Sequence, residues 1–249
     1  MRLDRFLTEN GYVESRTQAK NLIECGAVTV NGSPVMKPSF DVSDGDEINC
    51  KSELICPYVS RGGLKLEGAL SEFAIDPTGA ICLDIGASSG GFTDCLLKNG
   101  ASKVYAVDSG SGQLHSSLRS ECRVISLENV NARYLSESEI PEKIDIAVMD
   151  VSFISQTKLY PALVPLLKNG GILISLIKPQ FEVGRSGVGK GGIVRDDKKR
   201  KEAVEFVIET AASYGLTNIK TMVSPIKGGD GNTEFLAYFV KERRSELED

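Results

Sequence analysis

The chain changes its pattern of hydrophobic and polar positions near residue 60. From residue 80 onward, short apolar runs alternate with longer segments of helical periodicity, which predicts a doubly wound α/β sheet. The last two runs should form a hairpin that adds an antiparallel strand, so we expect a mostly parallel sheet of seven strands. The expected strands lie near residues 80–85, 103–107, 123–127, 144–149, 171–177, 217–223 and 234–240, and a helix is expected over 198–214.

The first 60 residues have a different pattern, which predicts a small α+β domain followed by a linker. Apolar residues from Leu3 to Leu7 recur at helical spacing, and Ser15 begins a capping box that opens a second helix. Asn31-Gly32 follows a short alternating run and is a strong signal for a hairpin turn. We therefore divide the chain into a small domain with its linker, residues 1–60, and an α/β domain, residues 61–249.

The apolar run Ile81–Ile85 leads into a glycine-rich turn, after which a helical pattern begins at Phe92. Glycine lets a ligand approach the backbone closely, and the start of a helix presents free N–H groups. The next apolar run ends at Asp108, and a carboxylate at that point of an α/β sheet is placed to bind the hydroxyls of a ribose. These features predict a site for a cofactor that contains a nucleoside.

The glycine spacing differs from the G-x-G-x-x-G motif of dinucleotide-binding folds, because no glycine stands two residues after Gly86. The turn instead resembles motif I of methyltransferases that use S-adenosylmethionine (SAM). A nicotinamide or another nucleotide, or a turn that binds no ligand, are the alternatives. For Asn129 and Asn131, the adenine side of SAM and an N-cap role are equal alternatives. The other cofactor-binding residues implied by the resemblance are Asp84, Gly86, Ser88, Gly90, Gly91, Phe92 and, for the ribose, Asp108.

Charged residues close two other apolar runs of the predicted sheet. Asp150 follows the fourth strand and Lys178 follows the fifth, and the carboxyl ends of parallel strands meet at one edge of a sheet. A charge at such a place is costly to bury without a partner. A lysine that extends to water, and an aspartate that caps a turn or a helix, are the alternatives to a functional role.

Together with Lys65 and Glu234, these two residues match the Lys-Asp-Lys-Glu tetrad of the FtsJ-like ribose 2′-O-methyltransferases. The segments Asp150–Phe153 and Lys178–Glu182 resemble the TlyA branch of that family. The resemblance implies a SAM-dependent enzyme that methylates ribose 2′-hydroxyls of cytidines in ribosomal RNA (rRNA). It also implies that Lys178 is the base, that Asp150 and Glu234 orient the lysines, and that Lys65 helps to place the acceptor ribose.

Two other functions are considered. The first is an RNA-binding protein with a catalytically idle methyltransferase fold, and the intact tetrad argues against it. The second is a haemolysin or pore-forming protein, a label that many TlyA proteins carry. A haemolysin would need an amphipathic or apolar insertion segment, and we find none in the sequence.

Residues 1–50 resemble the RNA-binding domain named after ribosomal protein S-four, in which cationic helix faces meet RNA phosphates. A solvated helical face that binds nothing is the alternative. A glycine-rich loop over residues 179–196 is either a mobile substrate clamp or an idle surface loop. The candidate RNA-binding residues are Arg2, Arg5, Arg16, Lys20 and Lys37 in the small domain, Arg61 after the linker, and Arg185 and Lys190 in the loop.

Composition limits the other classes of function. The net charge of −5 argues against nucleic acid for the chain as a whole, so RNA binding has to rest on a local cationic stripe. A single histidine excludes a multi-histidine metal site, and six cysteines without a C-x-x-C pair favour a reducing cytoplasm. We therefore expect a cytoplasmic protein without a metal or a membrane span. We also expect a monomer or a weak dimer, and the resemblance implies rRNA or ribosomal subunits as partners.

Overall fold

The computed structural model describes residues 1–13, 15–24, 26–50, 56–184, 187–228 and 231–243. The chain divides into two compact units, Met1–Leu64 and Lys65–Asp249. The boundary expected after residue 60 stays a prediction.

The first unit contains two helices and a three-stranded antiparallel sheet in the order β2-β1-β3. Its buried core includes Leu3, Leu7 and Ile23, which are apolar positions of the two helices. The hairpin turn at Asn31-Gly32 is confirmed, since both residues have positive φ angles, 50° and 76°, and the flanking strands pair directly. The elements are α1 (Leu3–Glu9), α2 (Arg16–Glu24), β1 (Val28–Val30), β2 (Ser33–Pro34) and β3 (Ile48–Cys50).

The second unit is built on a seven-stranded sheet in the order β6-β5-β4-β7-β8-β10-β9. Neighbouring strands are parallel except at β10, which is antiparallel to both β8 and β9. The predicted fold class and the predicted hairpin are therefore confirmed. The strands are β4 (Ile81–Ile85), β5 (Lys103–Asp108), β6 (Val124–Glu128), β7 (Ile144–Met149), β8 (Leu167–Ile177), β9 (Leu216–Val223) and β10 (Phe235–Lys241).

Helices pack against the sheet and form a large apolar core with it. The α6 and α8 helices contribute Tyr160, Leu163 and Val207, which pack with Met149 and Phe239 of the sheet. No helix in the described ranges has both the length and the apolar character that crossing a bilayer requires. The helices are α3 (Gly62–Phe73), α4 (Gly91–Lys98), α5 (Ser116–Arg119), α6 (Tyr160–Leu166), α7 (Pro179–Glu182) and α8 (Asp197–Ser213), with short 3-10 turns at Ala132–Tyr134, Gln156–Leu159 and Lys190–Gly192.

One strand is longer than expected. The sequence predicts that this strand lies near residues 171–177. In the structure β8 begins at Leu167, which pairs with Ile144 of β7 before the register shifts. Gly170 has a φ of 78°, and this conformation accommodates the irregularity within a continuous strand.

Candidate functional site

The carboxyl ends of β4, β5 and β7 meet at one edge of the large sheet. Ile85 pairs with Val107 on one side and with Met149 on the other, so Gly86, Asp108 and Asp150 follow one another across the edge. Gly86 has a φ of 85°, and a Cβ atom added to it would lie 2.4 Å from the carbonyl oxygen of Asp150. Only glycine fits this close approach of two strand ends.

A cavity of about 560 Å³ opens at this edge. Four of the predicted cofactor residues line it, which are Gly86, Ser88, Asp108 and Asn131. Its volume suits a small-molecule ligand of nucleoside size or larger. The other lining residues include Gln113, Val130, Arg133, Asp150, Ser152 and Phe153.

Asp108 joins two segments of the cavity wall. One carboxylate oxygen accepts a hydrogen bond from the backbone N–H of Ser88 at 2.7 Å, and the other accepts from the N–H of Gly110 at 2.7 Å. Glu128, at the end of β6, accepts from the N–H groups of Gly112, Gln113 and Leu114, and these bonds lower the pKa of its carboxyl. The sequence reasoning missed Glu128, although an acid that closes a strand was the signal used for Asp108.

The remaining predicted cofactor residues lie outside the cavity lining. Asp84, Gly91 and Phe92 are buried, and a Cβ atom on Gly90 would meet Leu118 rather than open space. Asn129 has a positive φ of 59° and donates its N–H to the carbonyl of Gly110. The side chain of Asn131 caps the 3-10 turn by accepting a hydrogen bond from the N–H of Arg133, which is the N-cap role considered above. Asn131 also lines the cavity.

Asp84 is the most strongly perturbed of these groups. Its side chain is fully buried, and one oxygen accepts from the hydroxyl of Thr93 at 2.6 Å. The other oxygen has no hydrogen-bond partner within the described residues. Burial raises the pKa of Asp84 to about 7, and the negative charge of Asp150 adds to the effect. A positive charge bound nearby would therefore lower the pKa of Asp84 and favour its ionised form.

The four tetrad residues form two ion pairs. Nζ of Lys178 lies 2.5 Å from Oδ1 of Asp150 and donates to Oγ of Ser152 at 2.8 Å. Nζ of Lys65 donates to Oε2 of Glu234 at 2.6 Å, and both of these side chains are buried. Replacing a buried ion pair by apolar residues often leaves the stability of the fold unchanged or increases it. The stability of the fold is therefore a weak explanation for the presence of these charges.

Strand register explains why the two pairs are neighbours. Phe235 of β10 pairs with Ile177 of β8 in an antiparallel ladder, so Glu234 stands opposite Lys178 one step beyond it. Lys178 and Glu234 also line the same cavity of about 290 Å³. This second cavity shares Ser152 and Phe153 with the larger one. Asp150, Lys178 and Glu234 therefore line the walls where the two cavities adjoin, and Lys65 lies behind them, bonded to Glu234.

Phe153 is a residue of this junction that the sequence reasoning did not single out as a contact. Its side chain is 92% exposed and its φ is 65°, a left-handed conformation that is costly for a bulky residue. Its ring lies 5.3 Å from the ring of Phe181, centroid to centroid. Exposed aromatic rings beside a charged site are surfaces on which nucleic-acid bases stack.

The predicted RNA-binding arginines of the first unit already have acidic partners. Arg2 and Arg16 both contact Asp4, and Arg5 contacts Glu9. Lys20 and Lys37 are exposed, and Arg61 is half-buried. Arg185 and the side chain of Lys190 lie outside the part of the chain that the structure describes.

Comparisons with known proteins agree with this geometry. A family model described as FtsJ-like methyltransferase matches residues 58–241, and one described as S4 domain matches residues 1–48. Hemolysin A of Brachyspira hyodysenteriae is 46% identical over 96% of this chain and 100% of its own length. The 16S/23S rRNA (cytidine-2'-O)-methyltransferase TlyA of Mycobacterium tuberculosis is 43% identical over 95% of this chain and 88% of its own length. A solved structure described as a hemolysin from Streptococcus thermophilus has a TM-score of 0.77 and 42% identity, covering 99% of this chain and 91% of that one.

Proposed function

The chain belongs to the FtsJ-like methyltransferase family, and from this premise we propose that it transfers a methyl group from SAM to the ribose 2′-hydroxyl of a cytidine in rRNA. The observation that carries the proposal is the pairing of Lys178 with Asp150, and of Lys65 with Glu234, beside the two adjoining cavities that Asp150, Lys178 and Glu234 line. The tetrad residues are far apart in sequence. The TlyA enzymes among the relatives are named for this chemistry.

The residues that line the larger cavity provide groups that would bind SAM. The carboxylate of Asp108 is the group that would bind the ribose hydroxyls, and Gly86 leaves the backbone open to the ligand. Asp150 supplies negative charge in the cavity wall, which suits a ligand that carries a sulfonium and an ammonium group, and a bound cation would favour ionisation of the buried Asp84 behind it. Bound SAM would supply a methyl group that the positive sulfur has already activated.

The protein has to align the acceptor oxygen and remove its proton. In our proposal Lys178 takes up the proton of the 2′-hydroxyl, and Asp150 and Ser152 fix the position of its amino group. Lys65, held by Glu234, donates a hydrogen bond to the acceptor ribose. Holding the reacting atoms in line is worth several orders of magnitude in rate.

The acceptor nucleotide would lie in the smaller cavity. Its volume of about 290 Å³ suits a single base, and Phe153 offers an exposed ring for stacking at its edge. The S4 domain is proposed to bind the rRNA at a second place, so that the substrate is held by more than the nucleotide that reacts.

The test is methyl transfer from isotopically labelled SAM to deproteinised rRNA and to isolated ribosomal subunits. We expect label in a nucleoside whose 3′ linkage resists alkaline hydrolysis, because a 2′-O-methyl group blocks strand cleavage. The matched control is the same RNA with a 2′-deoxycytidine at the mapped position, which should accept no label. Label on a base, or no transfer to any of the substrates, would refute the proposal.

A further inference from the structure

A single buried carboxylate holds two arginines in the first unit. Asp4 is 0% exposed, and both of its oxygens are used. Arg2 donates from Nε to Oδ1 and from Nη2 to Oδ2, each at 3.0 Å. Arg16 donates from Nη2 to Oδ2 at 2.9 Å. The two guanidinium groups come from different elements, since Arg2 precedes α1 and Arg16 begins α2.

The backbone fixes this carboxylate firmly in place. Asp4 lies in the first turn of α1, and its N–H donates to the carbonyl of Pro38 at 3.0 Å. Its neighbour Leu3 is fully buried in the core of the unit and donates its N–H to the carbonyl of Phe40. Because the backbone holds Asp4 in place, its carboxylate fixes the positions of the two guanidinium groups that bind it.

The outer edges of both guanidinium groups remain available. The side chains of Arg2 and Arg16 are 48% and 58% exposed. Nη1 of Arg2, and Nε and Nη1 of Arg16, make no hydrogen bond within residues 1–13, 15–24 and 26–50. The hydrogen bonds from Arg2 hold the pKa of the Asp4 carboxyl well below its usual range, so Asp4 stays an anion and the three side chains carry a net positive charge. Asp41, which pairs with Arg2 through the backbone, is a second anion that interacts with the Arg2 guanidinium.

We propose that Arg2, Asp4 and Arg16 form a preorganised clamp for a backbone phosphate of RNA, in which Asp4 is a positioning residue that does not touch the RNA. The two parallel N–H groups of a guanidinium match two oxygens of a phosphate. Two guanidinium groups that are already held in place bind a phosphate with a smaller loss of side-chain conformational entropy. The inference rests on the proposed function, because it takes RNA as the ligand.

The direction in which Asp4→Asn changes the affinity for RNA distinguishes this clamp from general electrostatic attraction. Asp4→Asn removes a negative charge, so attraction between the protein and RNA as a whole predicts tighter binding. Loss of positioning predicts weaker binding, by roughly fivefold to tenfold, with a shallower dependence of affinity on salt because fewer phosphates are contacted.

The matched control is Glu9→Gln on the same helix. Glu9 is exposed and pairs with Arg5 at 2.5 Å, so this variant makes the same change of charge without touching the clamp. We expect Glu9→Gln to bind RNA as well as the wild type or up to about twofold more tightly. Arg16→Lys tests the clamp without any change of charge, and it should weaken binding because an ammonium group lacks the two parallel N–H groups.

The assay is filter binding of the full chain to deproteinised rRNA over a range of salt concentrations, with circular dichroism to verify folding. If Asp4→Asn binds as tightly as Glu9→Gln, the clamp is wrong. If Asp4→Asn does not fold, Arg16→Lys decides, and wild-type affinity in that variant overturns the inference. Failure of the wild type to bind rRNA at all is a different result, which would contradict the proposed function instead.

Discussion

Replacing Lys178 by alanine tests the proposed chemistry most directly. The substitution removes an amine that lies 2.5 Å from Asp150 and donates to Ser152 at 2.8 Å. A positioned general base contributes about 10²- to 10⁴-fold to a rate. We therefore expect the rate of methyl transfer to fall by about that factor, which corresponds to roughly 2.7–5.5 kcal/mol in the activation free energy.

SAM affinity should change little in the same variant. Lys178 lines the smaller cavity, whereas the larger cavity proposed for SAM is lined by residues of the β4, β5, β6 and β7 ends. Asp150 loses its ion-pair partner, and for a fully buried pair this would cost about 3–5 kcal/mol of stability. Because Asp150 is partly exposed to water, we expect a smaller loss and a folded protein.

The same two strands provide a matched control. Lys168 of β8 lies 2.5 Å from Asp145 of β7, at the opposite end of the sheet from Lys178. Lys168→Ala should leave transfer near the wild-type rate while removing a lysine–aspartate pair of the same length. The measurement is single-turnover transfer at saturating RNA and SAM, with the dissociation constant of SAM from calorimetry. Transfer by Lys178→Ala within about fivefold of the wild type would remove Lys178 from the role of base.

Three further predictions concern Asp108, Phe153 and Asp84. Asp108→Ala should weaken SAM binding by about tenfold or more, because a hydrogen-bonded carboxylate at the ribose position is lost; an unchanged dissociation constant would contradict this assignment. Phe153→Ala should raise the KM for RNA without changing SAM affinity or thermal stability, since the ring is exposed, and an unchanged KM would exclude stacking. Asp84 has a pKa of about 7 in the folded chain, against 3.8 ordinarily, so folding favours its protonated form. Its contribution to stability is full below pH 3.8 and is lost as the pH rises through 7, at about 1.4 kcal/mol per pH unit between these values. Chemical denaturation of the SAM-free protein from pH 4 to 8 should show this slope, and Asp84→Asn should remove it; equal slopes would show that Asp84 does not titrate in this way.

The sheet was predictable because its signal is local. Each strand is an apolar run between turn signals, and the charged residues that close the runs mark the edge where ligands bind. The pairing of Glu234 with Lys65 was expected only from the resemblance to a known tetrad. No rule of spacing connects two residues that β10 brings together from opposite ends of the second unit.

Other features depend on packing that the sequence does not reveal. Gly90 was expected beside the cofactor, which stays a prediction; the structure shows in addition that a Cβ atom at this position would meet Leu114 and Leu118. The arginines of the first unit were expected to form a cationic stripe, but the packing of α1 against α2 brings Arg16 to the carboxylate of Asp4. Such encounters between distant side chains cannot be obtained from helical periodicity alone.

The late position of Glu234 has a consequence for protein synthesis. Every residue of the larger cavity precedes residue 160, whereas the ion pair of Lys65 and Glu234 joins positions 169 residues apart. A chain emerging from the ribosome can thus assemble a cofactor pocket well before β10 is translated. If the proposed function is right, the nascent enzyme cannot methylate the ribosome that is making it until Glu234 has left the exit tunnel.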